Sequence, residues 1–261
     1  MLGASRGGPL AVPPRYEVIG VGGLPEFRRG DDVAALIADA ARRQGTPLSA
    51  RDLLVVSQKI VSKAEGRLVR LSEVTPSPRA QAVAEEIGRD PRLVEVILSE
   101  SRRIVRQSKG VLIVETHHGF VCANAGVDQS NVDADTACLL PEDSDRSAVA
   151  IRERLRTLTG HELGVIIADT FGRPWREGLV NVAVGLAGLQ PIRSYLGELD
   201  PAGYVLQATI LALADELAGA AEPVMGKLDR IPVAIIRGLE WEAGDGSSRA
   251  LLRDPARDLF R

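Results

Sequence analysis

The chain has 261 residues, 45% of them hydrophobic and 26% charged, with a formal net charge of −3. That length permits one large domain or two small ones around a sizeable core, which aromatics at only 3% make aliphatic and alanine-rich. A near-neutral charge without a long basic run argues against nucleic acid as a main partner, no apolar stretch reaches membrane-spanning length, and no continuous apolar segment follows Arg6 as a signal peptide requires.

In chain order, the Gly/Pro/Ala-rich residues 1–14 read as a disordered N-terminal segment, residues 15–241 as the folded domain, and residues 242–261, polar and Gly/Ser-rich at their start, as a C-terminal tail or linker. Tyr16 to Val21 reads as a strand, followed by the tight loop Gly22-Gly23-Leu24-Pro25. Asp31-Asp32 starts a helix over VAALIADAARR with Ala34, Ile37, Ala38 and Ala41 on one face, and Gly45-Thr46-Pro47 ends it. Leu53 to Val56 is a buried strand running into SQKIVSKAEGR (57–67), read as a basic loop. Its Lys59 and Lys63 could hold nucleotide phosphates, and a solvated basic turn fits that stretch equally well. Neither GxxxxGK[ST] nor GxGxxG occurs, which excludes a P-loop and argues against a Rossmann dinucleotide site.

Residues 78–100 read as two helices broken at Asp90-Pro91. Residues 102–106 and 111–115 pair as strands around Gln107-Ser108-Lys109-Gly110. His117 and His118 fall in a hairpin turn, point to opposite faces and read as solvated. Cys122 and Cys138 sit beside no second ligand pair, so zinc is disfavoured; they read as reduced thiols in a cytoplasmic protein.

Two loops suggest chemistry. Val121 to Asn131, VCANAGVDQSN, reads as a strand end opening into a tight loop with Asp128 and the amides Asn124, Gln129 and Asn131. Oxygen ligands of this kind suit a hard cation, and an Asx-rich turn accounts for the same residues. Residues 163–176, LGVIIADTFGRPWR, read as a buried strand ending at Ala168, then a turn with Asp169, Thr170, Arg173 and Arg176. A carboxylate and a hydroxyl at a strand's C-terminal edge, beside two arginines, suit a metal–phosphate site; the alternative is a polar turn with solvated arginines.

Further on, Asp143-Ser144 caps a helix with apolar face Ala148, Ile151, Leu155 and Leu158. Asn181 to Leu189 is a strand with close backbone approach, and residues 192–204 form a loop with Arg193, Glu198 and Asp200. Residues 207–221 form a helix whose core face is Ile210, Leu213, Ala214 and Leu217, with Asp215 and Glu216 on a solvated edge. A loop carrying Lys227 leads to a strand from Val233 to Ile236. Strands and helices mix without a regular βαβ beat, which predicts an α+β fold of mixed sheets and helices rather than a doubly wound sheet.

Taken together, SQKIVSKAEGR, CANAGVDQSNV, LLPEDSDRSA, ADTFGRPWREG, PIRSYLGELDPAGY and VMGK…IPVAIIRGL resemble, in order over about residues 16 to 240, the coenzyme F420-0:L-glutamate ligase family. Leu24-Pro25-Glu26-Phe27 and Asp254…Asp258-Leu259-Phe260 look closest to the N-terminal ligase domain of the actinobacterial two-domain F420 ligase, where a nitroreductase-like domain would follow.

The resemblance implies an unusual two-lobed α+β fold and a homodimer. It also implies a GTP-dependent amide ligase using one or two divalent ions (Mg²⁺ or Mn²⁺) and K⁺. GTP would phosphorylate the terminal carboxylate of F420-0, and the amino group of L-glutamate would displace phosphate from the acyl phosphate, with further glutamates added through γ-links. Matched by position, Asp128 and Asp169 fall at a first metal and Thr170 at a second. Nucleotide contacts fall at Gly23, Leu24, Pro25 and Glu26, at Gln58, Lys59, Lys63 and Asn131, and at the loop of Met225, Gly226, Lys227, Leu228, Asp229, Arg230, Ile231 and Pro232. Lys227 departs from the family pattern, because it stands where archaeal members place a Gln or Glu oxygen ligand to the second ion and an ammonium has no acceptor; it reads as a phosphate-binding charge, the alternative being a second ion held differently. Arg173, with Arg176, is assigned to phosphate or substrate carboxylate, the alternative being a salt bridge to Glu177 or Glu198. No side chain stands out as an obligatory general base. Competing readings are a metal-dependent nucleotide phosphohydrolase and a non-catalytic F420-binding module.

Overall fold

The computed structural model describes residues 13–258. The expected disorder of the N-terminal segment, except at Pro13 and Pro14, and the Leu259-Phe260 ending lie outside these residues. In chain order the regular elements are β1 (Glu17–Gly20), α1 (Val33–Arg43), β2 (Leu53–Ser57), α2 (Gln58–Glu65), β3 (Leu68–Arg70), α3 (Pro78–Ile87), α4 (Pro91–Ser99), β4 (Ser101–Ser108), β5 (Val111–Thr116), β6 (Val121–Ala123), β7 (Thr136–Cys138), α5 (Ser144–Thr159), β8 (Gly164–Arg173), β9 (Arg176–Ala187), β10 (Arg193–Ser194), β11 (Ile210–Leu211), α6 (Leu213–Met225) and β12 (Val233–Arg237).

The main sheet has the order β1-β12-β2-β8-β9. Only β2 and β8 run parallel; the other neighbours are antiparallel. The central strands read as unbroken apolar runs because both faces are covered. Leu54, Val56, Val165, Ile167, Val233 and Ile235 pack with α1, α2 and α5, whereas Leu53, Val55, Ile166, Ala168, Ala234 and Ile236 pack with α6. This is the two-residue alternation of a pleated strand. A third core, under α3 and α4, joins Leu71, Ile87, Ile97, Leu112, Val114 and Leu139 of the segment between α2 and α5. Three-stranded β4-β5-β6 and the pair β3-β7 belong to that segment. The fold is α+β, as expected.

Several expectations are corrected. SQKIVSKAEGR is a helix, not a loop: Ser57 is its N-cap and Gly66, at φ 76°, its left-handed C-cap. The strand after Leu163 runs past Ala168 to Arg173, because β9 continues to pair with it and Thr170 faces Asn181. Ile210 is exposed in the β10–β11 ribbon, so the following helix begins later, at Leu213, and extends through Pro223 to Met225. Leu158 is exposed at the end of α5. His118 is half-buried: Nε2 donates to the Pro141 carbonyl at 2.9 Å and the ring stacks on Phe120. Both cysteines are free and buried.

Asp215 does not lie on a solvated edge. β9 is the last strand of the sheet and carries a bulge between its pairings with Ile167 and Ala168. Its outward Ala183 N–H donates to Asp215 Oδ1 and its Leu186 N–H to Asp145 Oδ1, each at 2.9 Å. Burial raises the Asp215 carboxyl above its usual range, against the Ala183 N–H, which lowers it. Asp145 also accepts from the Ser247 and Ser248 hydroxyls and the Ser248 N–H, so residues 247–248 are tied to the start of α5.

Candidate functional site at the sheet's carboxyl edge

Strand directions decide where the polar residues meet. β2 and β8 run parallel and end at the same edge. β12 is antiparallel to β2 and to β1, so its beginning and the end of β1 lie there too. Four segments therefore converge: residues 21–26, the start of α2, Asp169-Thr170, and residues 226–232. Two backbone bonds seal the junction, Ser57 N–H to the Pro232 carbonyl and Val21 N–H to the Val233 carbonyl, each 2.8 Å. No side chain caps the first turn of α2, which leaves N–H groups and a positive dipole end at this edge.

Asp169 and Thr170 continue the alternation of β8 and so point to opposite faces of the sheet. On the α2 face is Asp128. Three consecutive residues with positive φ, Asn124 (53°), Ala125 (56°) and Gly126 (71°), coil the chain just before it. At Ala125 this conformation costs on the order of 1 kcal/mol. The backbones of Asp128 and Cys138 then exchange two hydrogen bonds of 3.0 and 2.8 Å. Lys59 Nζ donates to Asp128 Oδ2 at 2.6 Å, to the Ser130 carbonyl at 3.0 Å and to Ser130 Oγ at 2.8 Å. Burial alone would raise the Asp128 carboxyl, but the Lys59 ammonium and the Ser130 donors outweigh it and hold the group below its usual range.

Asp169 is pushed up to about 6, first by burial; the Thr170 N–H opposes this, the Asp128 charge adds to it, and Lys59 and Lys227 pull it back. Lys63 is almost fully buried and pairs with the exposed Glu26 of the first loop. Lys59 and Lys63, four apart on α2, thus share one helix face toward the edge. Gln58 is buried and accepts from the Ser62 hydroxyl at 2.8 Å.

The α6 face carries a second network. Thr170 Oγ1 donates to Asn181 Oδ1 at 2.8 Å, and Asn181 Nδ2 donates to Glu222 Oε2 at 2.7 Å. Lys227 Nζ donates to Thr170 Oγ1 at 2.8 Å and pairs with Glu222 Oε1 at 2.8 Å. Asn181 and Glu222 escaped the sequence reading. The available signal was a lone amide in the apolar strand 181–189, which a buried position leaves in need of partners.

The structure thus gathers Asp128, Asp169, Thr170, Lys59, Lys63, Glu26 and Lys227 at one edge. Asn131 (φ 55°) follows on the Asp128 loop, and Met225 is buried at the end of α6 while Leu228 is exposed beyond it. Arg173 lies further along the β8–β9 hairpin. Its Nη2 donates to the Glu177 carbonyl at 2.8 Å, and Glu198 pairs instead with Arg193.

Among the described residues no group of three or more His, Cys, Asp and Glu side chains converges as a self-sufficient metal site. Asp128 and Asp169 nevertheless fit one hard divalent ion. Asp169 is close enough to feel the Asp128 charge, and two such carboxylates suit an ion whose remaining positions go to water and phosphate. A second ion on Thr170 would stand beside the Lys227 ammonium, a like charge that already donates to that hydroxyl oxygen at 2.8 Å.

Comparison with known proteins gives the class first. Proteins similar over nearly the whole chain are ligases, and this protein is a ligase. Among them the coenzyme F420:L-glutamate ligase of Methanothermobacter thermautotrophicus is 51% identical over 94% of this chain and 98% of its own length. Those of Methanopyrus kandleri and Methanocaldococcus jannaschii are 47% and 42% identical, over 92% and 95% of this chain and 100% and 97% of their own. The sequence profile of F420-0:gamma-glutamyl ligases matches residues 23–238, and the chain belongs to that family. No helix among the described residues is long and apolar enough to cross a membrane.

Proposed function

We propose that the protein joins L-glutamate to coenzyme F420-0 in a GTP-dependent reaction, then extends the product with γ-linked glutamates. The observation that carries the nucleotide part is the meeting of three ammonium groups, Lys59, Lys63 and Lys227, with the carboxylates of Asp128 and Asp169 at the sheet edge. The ligase relatives support the acceptor and the amino acid.

A carboxylate is a poor electrophile and must first gain a leaving group. The terminal carboxylate of F420-0 attacks the γ-phosphorus, the bond to the β-phosphate oxygen breaks, and GDP leaves. The deprotonated amine of glutamate then attacks the acyl carbon, forming C–N and releasing phosphate. Lys59, Lys63 and Lys227 hold the polyphosphate and the uncapped start of α2 receives an oxygen of it. One Mg²⁺ or Mn²⁺ held by Asp128 and Asp169 would neutralise charge on the transferring group. Lys227 takes the place of a second divalent ion; an unchanged GTP KM in Lys227→Ala would remove it from this role. K⁺ and a second copy of the chain complete the proposed active form.

The test is mass spectrometry after incubation with F420-0, GTP, Mn²⁺, K⁺ and L-glutamate, omitting one component at a time. Glutamyl additions that vanish without GTP or divalent metal are expected. GDP released with no glutamyl product would identify a phosphohydrolase, and bound coenzyme with no turnover a binding module.

A further inference from the structure

The four side chains on the α6 face of β8 close a ring whose polarity chemistry fixes. An ammonium has donors and no acceptor, so Thr170 Oγ1 must accept from Lys227. The threonine therefore spends its own proton on Asn181 Oδ1, which turns the amide Nδ2 toward Glu222. Glu222 closes the ring with one oxygen on Asn181 and the other on Lys227. Asn181 is buried, and its strand position directly opposite Thr170 leaves it no other orientation that satisfies both ends.

Lys227 itself is only anchored at its tip. It follows the helix-ending Gly226 on an exposed loop, and its side chain is 57% exposed. A lysine on such a loop samples many rotamers unless something holds it. The ring uses two of its three donors and leaves the third free for a ligand, and Asp169 feels the ammonium's charge.

We propose that Asn181 and Glu222 are positioning residues: they hold the Lys227 ammonium over Thr170 as a built-in cation for the nucleotide's polyphosphate. This rests on the nucleotide-site reading above. Glu222 acts against simple electrostatics, because its charge repels a polyanion, and this makes the two explanations separable. If Glu222 only repels, its neutralisation strengthens nucleotide binding with or without Lys227. If it positions, its neutralisation weakens binding only while Lys227 is present, since glutamine puts an NH2 donor in place of one of the two oxygens that accept from Asn181 and Lys227, and one of those donors then faces a donor.

The experiment is a double-mutant cycle read as the Kd of GDP, which is not turned over, by calorimetry in Mg²⁺ on the full chain. Thermal melting of each variant accompanies it. Lys227→Ala is expected to weaken GDP about tenfold and Glu222→Gln about three- to tenfold, with no further weakening when the two are combined. Asn181→Leu, which changes no charge, is expected to follow Glu222→Gln; should it fail to fold, the Glu222 pair carries the test. Additive effects in the double variant, or tighter binding by Glu222→Gln in the presence of Lys227, overturn the positioning role while leaving the nucleotide site intact. No GDP binding by the unsubstituted protein overturns the site and the positioning role together.

Discussion

Asp169 shows how a carboxylate proposed as a metal ligand is held at a cost to the fold. In the folded chain its carboxyl is raised from 3.8 to about 6, chiefly by burial. The folded state therefore binds a proton more tightly than the unfolded state between those values. The contribution of Asp169 to stability is greatest below the unfolded value, falls as pH rises toward 6, and is level above it. Asp169→Asn keeps the acceptor for the Thr170 N–H and removes the charge. Metal-free Asp169→Asn is thus expected to match the parent at pH 4 and to exceed it above pH 6 by on the order of 2 kcal/mol. Urea melts of chelator-treated protein at the two pH values measure this, and equal stability at pH 7 would contradict it. Asp128 differs because Lys59 compensates it. Asp128→Asn is expected to leave a folded protein whose kcat is lower by roughly 10²-fold or more, the usual size of a lost charge-stabilising group; ligation above a tenth of the parent rate would remove Asp128 from the machinery.

At the scale of elements, the open edge of the sheet is closed by acids rather than by another strand. Asp145 of α5 and Asp215 of α6 take two outward N–H groups of β9, groups that would otherwise invite a strange strand to pair. Asp145→Ala leaves the Leu186 and Ser248 N–H groups without their acceptor, so a loss of about 2–3 kcal/mol is expected. Faster hydrogen exchange at Leu186 and earlier proteolysis within residues 242–258 should accompany it; an unchanged Leu186 amide would count against the edge role. Neither contact was legible in the sequence, where Asp215 looked like a solvated helix edge, because an acid bonding a bulged backbone leaves no periodic trace. The central strands were legible because cover on both faces writes an unbroken apolar run, and Asp90-Pro91 marked the break between α3 and α4. α2 was hidden because its polar face, Lys59 and Lys63, resembles a basic turn. At the site, Asp128, Asp169 and Lys227 stood out by residue type, but that Lys227 belongs with Thr170 depends on a tertiary contact between residues 57 apart in the chain.

For the molecule as a whole, the arm from Arg193 to Leu211 bears on assembly. β10 and β11 pair there, and Gly197–Leu206, Leu206–Glu198 and Asp200–Tyr204 backbone bonds extend the ribbon within itself. Leu196, Leu199, Tyr204, Ile210 and Leu211 nevertheless face solvent, Leu199 with 67% of its surface. Contiguous exposed apolar side chains of this size mark an interaction surface more often than scattered single ones do. The proposed active form includes a second copy, and this arm is where it would dock. The ribbon does not depend on these side chains for its backbone bonds, so charging them should leave the protomer folded. Leu199→Asp with Ile210→Lys is expected to shift the protein from dimer to monomer in light scattering at micromolar concentration, with its melting temperature lowered by the loss of the partner. Because β10 follows β9 by a short connection and β9 supplies Asn181 to the Lys227 ring, loss of the dimer should also weaken GDP binding. A double variant that remains dimeric would place the interface elsewhere, and a monomeric variant that binds GDP unchanged would separate assembly from the site.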